Sequence, residues 1–263
     1  MQRGGTGSRC RGAARAGGRA VVFTLAVALL GCGEAEAPTS ALELDAAYAS
    51  AGFGSATYRV TIMNLTDNQP FTPPLAATHR AATRLFDVGK PASGQLQQIA
   101  ENGNLDPMLM ALGSDRHVFD VVVAVAGDPP PLMAGASITF EIEASAGTRF
   151  FSFVSMLICT NDGFTGVNAL KLPERVGQST TVQSDAYDAG TEINTEDFSD
   201  LVPPCPVLTG VMTAEMGTGM TNPALAEHGV VHHHPGIQGI EDLIPEVHDW
   251  LKPVATITIE RTG

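Results

Sequence analysis

Two stretches of this chain combine carboxylates with glycines in a way that could hold a cation. The first reads Cys159-Thr160-Asn161-Asp162-Gly163-Phe164-Thr165-Gly166-Val167-Asn168-Ala169-Leu170, and the second Tyr187-Asp188-Ala189-Gly190-Thr191-Glu192-Ile193-Asn194-Thr195-Glu196-Asp197. A hard ion such as Ca2+ takes six to eight oxygens at about 2.3 to 2.6 Å, and a glycine beside an acid lets the backbone bend until side-chain and carbonyl oxygens converge. Asn-Asp-Gly and Asp-Ala-Gly are also plain turn sequences, and composition alone favours the turn.

A second group is the run Val230-Val231-His232-His233-His234-Pro235-Gly236, with His228 before it and His248 after. His232 and His234 fall on one side of an extended segment, which raises a zinc-dependent periplasmic hydrolase built on His232, His234 and His248 as the alternative function. No acid or cysteine stands at the helical spacing of a zinc-enzyme signature. The chain also has no Gly-x-Ser-x-Gly elbow and no Gly-x-Gly-x-x-Gly between a strand and a helix, so nucleophilic hydrolysis and dinucleotide binding have no motif to rest on. The expectation is a non-enzymatic protein.

The elements that must position these residues are mainly strands. Thr57 to Leu65, Val118 to Ala126, Ser137 to Ala144, Arg149 to Ile158 and Val254 to Arg261 are rich in β-branched and aromatic residues. In Ser137 to Ala144, Ile138, Phe140 and Ile142 share one face while Thr139, Glu141 and Glu143 share the other, the period-two pattern of a strand with one buried side. Between the first two strands, Ser93 is placed to cap a short helix through Leu96, Ile99 and Ala100. Prolines 70, 73, 74, 129, 130, 131, 203, 204 and 206 lie between strand candidates, as residues that cannot donate to a ladder should. The expected fold is an all-β, antiparallel sandwich with long loops, over residues 56–263.

Ahead of that domain, Arg3, Arg9, Arg11, Arg15 and Arg19 precede the uncharged run Ala20 to Leu30, the layout of a signal peptide, so residues 1–31 are expected to be a leader. Leu29-Leu30-Gly31-Cys32 resembles the bacterial lipobox, which makes Cys32 the expected lipid attachment point and 32–55 a flexible tether rich in Ala, Ser, Gly and acid. Ordinary cleavage between Gly31 and Ala37 is the other reading. The expected location is the cell envelope, as an outer-membrane-anchored lipoprotein or an extracellular protein.

Loss of residues 1–31 removes five of the 15 Lys+Arg and none of the 28 Asp+Glu, moving the formal charge from -13 to -18. So acidic a chain has no means of gripping phosphate backbones, which excludes nucleic acid as a partner. With Cys10 in the leader and Cys32 lipidated, Cys159 and Cys205 remain. In an oxidising compartment they are expected to form a disulfide, two separate buried thiols being the other possibility.

Four pieces, Tyr58 to Leu65, Gly166 to Leu172, Tyr187 to Glu192 and Pro253 to Ile259, resemble in order the spondin N-terminal domain family, the F-spondin and mindin type, across most of residues 56–261. The resemblance implies an eight-stranded C2-type sandwich with Ca2+ held in loops at one edge and a role in adhesion, binding a protein or glycan at the cell surface. It carries the ligand role to Asp162 and Asp188, then to Glu192, where the family has Asp, and to Asn168, where the family often has Asp. The family's tryptophan after the first aspartate is replaced by Gly163-Phe164, and Pro173 replaces a family cysteine, so Cys159 and Cys205 need not pair as family cysteines do. The thrombospondin-type repeats that accompany the domain in animals are not found, so matrix binding through them is not implied.

Overall fold

A computed structural model describes residues 54–125 and 131–263. The leader over 1–31, the lipid site Cys32 and the tether over 32–55 lie outside these residues, apart from Gly54 and Ser55. The described chain forms two antiparallel sheets.

The first sheet contains β1 (Ala56–Asn64), β4 (Ser137–Ala144), β10 (Ala255–Arg261) and β7 (Ser179–Ser184), in the order β4-β1-β10-β7. Alternation along each strand decides its register. Ile62 lies opposite Ile257 on one side and Ile138 on the other, and Val60 lies opposite Ile259 and Phe140. One slip by a single residue would turn this whole set to solvent. On the outer face, the hydroxyls of Thr61 and Thr139 pair at 2.8 Å, and those of Thr181 and Thr258 at 3.0 Å.

The second sheet orders β3 (Val118–Val123), β2 (Leu75–His79), β5 (Phe150–Met156), β6 (Gly163–Lys171), β8 (Ala186–Asp188) and β9 (His232–His233) as β3-β2-β5-β6-β8-β9. β2, with the sequence LAATH, is buried at every residue. It shows no alternation because neither face meets water. Two helices, α1 (Gly94–Asn102) and α2 (Asp106–Ser114), pack on this sheet, α1 against β5 and β6 and α2 against β3. Ser93 caps α1 by accepting from the Leu96 N–H at 3.2 Å, and Gly103 ends it in the left-handed region at φ 63°.

Where the resemblance implies eight strands there are ten among the described residues, the two shortest, β8 and β9, closing one side of the second sheet. Between β9 and β10 come loops and α4 (Pro245–His248); α3 (Cys205–Thr209) lies earlier, between β8 and β9. Cys159 and Cys205 are joined by a disulfide with Cα atoms 5.2 Å apart, which ties this excursion to the end of β5. No helix among the described residues is long and apolar enough to cross a membrane.

Candidate functional site

The run 159–170 is less of a loop than its composition implies. Its first four residues make a tight turn after β5, and Gly163 already begins β6. Thr160 closes the turn: its hydroxyl donates to the Leu157 carbonyl at 2.6 Å and accepts from the Gly163 N–H at 2.9 Å. A Cβ on Gly163 would fall 2.5 Å from that hydroxyl, so the residue after Asp162 has to be glycine. Asp162 is thereby fixed at the head of β6.

β8 is the neighbour of β6, and Gly163 lies directly opposite Asp188. The two aspartates, 26 positions apart in sequence, are brought to one end of the second sheet, and both are fully buried. Gly190, at φ +67°, turns the chain after Asp188; a Cβ there would lie 2.6 Å from the backbone of Val230. The turn aims the next N–H groups at the acids. Asp162 Oδ2 accepts from the Thr191 N–H at 2.7 Å, the Thr191 hydroxyl at 3.1 Å and the Glu192 N–H at 3.1 Å. Asp188 accepts from the Gly190 N–H at 2.8 Å and the Asn194 amide at 2.7 Å.

Asp162 Oδ1 is buried with no hydrogen-bond partner. Neither aspartate pairs with Lys or Arg among the described residues; the His232 imidazole stands 3.7 Å from Asp188 Oδ1. Burial, followed by the charge of Asp188, pushes the Asp162 carboxyl up to about 7 against the donors from Thr191 and Glu192. Two adjoining buried carboxylates without a counter-charge are costly to ionise. A bound cation removes that cost.

Glu192 joins the same region. Its side chain is 3% exposed and its carboxyl is pushed up to about 8, by burial first, then by Glu101, Asp162 and Asp200. Glu101 is the residue that sequence reasoning missed. It lies in the last turn of α1, is buried, and accepts from Gln97 at 2.8 Å and from the Thr221 hydroxyl. A glutamate in an amphipathic helix reads as a solvated residue, and only its position one before the capping pair Asn102-Gly103 hints otherwise.

Asn168 is not brought to the aspartates. It stands five residues along β6 from Gly163, roughly 16 Å at strand rise. Its oxygen accepts from the Leu85 N–H at 3.1 Å and the Ser152 hydroxyl at 3.2 Å, and its amide donates to the Phe86 carbonyl at 2.5 Å. With both ends so engaged, it holds the 80–90 loop against the sheet. Glu196, also in the acid-rich run, is likewise spent on structure, accepting from the N–H groups of Gln238 at 2.6 Å and Ile240 at 2.9 Å.

The histidines do not form one centre. His248 is fully buried; its Nδ1 accepts from the Ile244 N–H at 2.9 Å and its Nε2 meets the Thr209 hydroxyl at 3.1 Å, beside the disulfide. His234 Nδ1 accepts from the Gly236 N–H at 3.0 Å, so the neutral ring carries its proton on Nε2, edge-on to Trp250. Burial lowers the His234 pKa to about 4. A ring in that tautomer has no lone pair on Nε2 for a metal. The three-histidine hydrolase is therefore not supported.

At the far end of β6 a cavity is lined by Tyr58, Arg149, Glu174 and Arg261 and contains none of the predicted ligands. Residues 63–205 match the family model described as Spondin_N, and this stretch contains Asp162, Asp188, Glu192 and both bridged cysteines. No curated protein matches the chain.

Proposed function

Because the chain belongs to the Spondin_N family, matched over more than half its length, we propose that it is a non-enzymatic, extracellular domain of the spondin type that binds Ca2+ at Asp162 and Asp188 and recognises a protein or glycan at the cell surface. The observation that carries the cation is Asp162: a fully buried carboxylate, with one oxygen unpartnered, beside a second buried carboxylate and paired with no Lys or Arg among the described residues. Glu192, buried like the aspartates, is the third carboxylate of this reading. All three are oxygen donors, which suits a hard ion. Ca2+ supplies charge neutralisation there and cross-links the β5–β6 turn to the segment after β8, which makes it a structural ion for a recognition surface.

Calcium titrated into chelator-treated protein is expected to release or absorb heat with one site per chain. Asp188→Asn, which keeps the hydrogen bond to Gly190 but removes the charge, should weaken binding at least tenfold. Equal affinity in that variant would overturn the assignment.

The Arg-rich, then apolar, leader pattern and Cys32 support display from a membrane, with 32–55 as the spacer. Cys32→Ser is expected to move the exported chain from the membrane fraction to the soluble fraction. Unchanged partition would rule out the lipid.

A further inference from the structure

At the end of β6 away from Asp162 lies the cavity lined by Tyr58, Arg149, Glu174 and Arg261, with a volume of about 310 Å3. That is the small end of the range for ligand sites, about 300 to 1,000 Å3. Both sheets contribute to its walls. Ala56 of β1 and Ala144 of β4 are cross-strand partners there, and two such short side chains leave room that larger ones would fill. The turn from β4 to β5 brings Arg149, the segment after β6 brings Pro173 and Glu174, and β10 ends on Arg261.

The two arginines are anchored to backbone, not to acids. Arg149 Nε donates to the Ala146 carbonyl at 2.9 Å; Arg261 Nε donates to the Gly263 oxygen at 2.9 Å, and its Nη1 to the Glu174 carbonyl at 2.5 Å. Each guanidinium is oriented by these bonds, and both terminal nitrogens of Arg149 and Nη2 of Arg261 have no hydrogen-bond partner among the described residues. Neither arginine forms an ion pair with a side-chain carboxylate among them. Glu174, the acid in the lining, has its carboxylate on Lys171 Nζ at 2.7 Å. Both cations act on one phenol: burial raises the Tyr58 pKa, and Arg261 and then Arg149 oppose the rise. In a chain with 28 acids and 15 bases, two guanidiniums gathered at one cavity mark a place for an anion.

We propose that this cavity binds the carboxylate of an acidic sugar, a uronic-acid unit of a glycan, with Arg149 and Arg261 as its receptors. The inference names a ligand class for the recognition role proposed above and rests on that reading, but not on the Ca2+ site. A guanidinium presents parallel N–H donors that match the two oxygens of a carboxylate. The rest of the polar lining suits hydroxyls. Tyr58 gives its hydrogen to the Pro173 carbonyl at 3.1 Å, so its oxygen is left to accept, and the Ser145 hydroxyl and the Glu174 carboxylate are acceptors beside it. A sugar ring supplies donors for these groups, whereas an apolar side chain leaves them unpaired. The acidity of the rest of the chain disfavours a polyanion, and so selects a ligand whose charge sits at one point.

The probes are cellobiouronic acid, which is glucuronic acid linked to glucose, its uncharged counterpart cellobiose, and monosulfated cellobiose. Calorimetry is run on the purified protein with chelator, so that no cation bridges protein and sugar. The acid is expected to bind one per chain, and cellobiose about 10- to 100-fold more weakly, the range for losing hydrogen bonds to a charged group. Arg149→Gln and Arg261→Gln should each weaken the acid by that range and leave cellobiose unchanged. Arg149→Lys, which keeps the charge without the fork, should lie between. Lys252→Gln, exposed and ahead of the other end of β10, should change the affinity less than twofold. No binding of the acid, equal affinity for acid and cellobiose, wild-type affinity in both Gln variants, or tighter binding of the sulfate overturns the proposal. Labelled protein added to isolated cell envelopes separates the two readings: adhesion that is the same in wild type and Arg149→Gln keeps the recognition role and removes this site, and no adhesion removes the role itself.

Discussion

Chelator-treated protein is expected to lose stability as pH rises from about 4 to about 8, and to regain it when Ca2+ is added. The cause is that Asp162 and Glu192 titrate in the folded chain at about 7 and about 8, well above ordinary carboxylates. Between the unfolded and folded values, the native state holds protons that the unfolded state has released. Stability then falls with pH, by about 1.4 kcal/mol per pH unit for each group in its window. Below the unfolded values both states are protonated and the penalty is absent; above pH 8 both are ionised and the full penalty, several kcal/mol, is in force. A cation bound to the ionised carboxylates offsets this, and at one hundred times its Kd contributes about 2.7 kcal/mol.

For a domain of this size that contribution corresponds to a melting temperature rise of roughly 5 to 10 °C. The measurement is a set of thermal melts from pH 4 to 8.5, with chelator and with Ca2+. Asp162→Asn sharpens it. An amide keeps an oxygen for the Thr191 and Glu192 N–H groups and removes the buried charge, so this variant should melt higher than wild type in chelator at pH 8 and respond little to Ca2+. A chelated wild type whose stability rises over that pH range would show that these carboxylates are not held as described.

Opening the disulfide is expected to cost about 4 kcal/mol, the chain-entropy value for two cysteines 46 residues apart. At 2 to 4 °C per kcal/mol, the melting temperature falls roughly 8 to 16 °C. The bond joins the turn that carries Asp162 to α3, and Gln69 braces the same turn by accepting from the Cys159 N–H at 2.8 Å and donating to its carbonyl at 3.2 Å. Cys159→Ser, Cys205→Ser and the double variant should therefore all be destabilised by about the same amount, since each lacks the one bond. Additive losses would mean that packing of the buried sulfurs, not the cross-link, supplies the stability. Reduced Ca2+ affinity in all three is the expected consequence for the site.

β1, β4 and β10 were legible residue by residue, because each buries one face and exposes the other, and that difference is written into every second side chain. Asp162-Gly163 and Asp188-Ala189-Gly190 were legible as places where the chain must bend, and the structure shows why each glycine is needed. β2 left no such trace, since a strand covered on both faces has no reason to alternate. Nor could the sequence separate Asp162 from Asn168. They are six residues apart in one motif, but strand rise separates them, leaving Asp162 at the head of β6 near Asp188 and carrying Asn168 along the strand to the 80–90 loop.

What the sequence by itself determined is the set of chemical groups: one-sided strands, two acid-glycine bends, a pair of cysteines and a run of three histidines. Only the tertiary structure decided which of them meet. The register of β6, β8 and β9 set Gly163, Asp188 and His232 in line across the sheet, and the packing of α1 sent Glu101 inward to Glu192. Burial and bending are properties of a residue and its near neighbours, so they are written locally. Proximity across strands depends on how distant segments close on one another, and that closure is decided by the whole core at once.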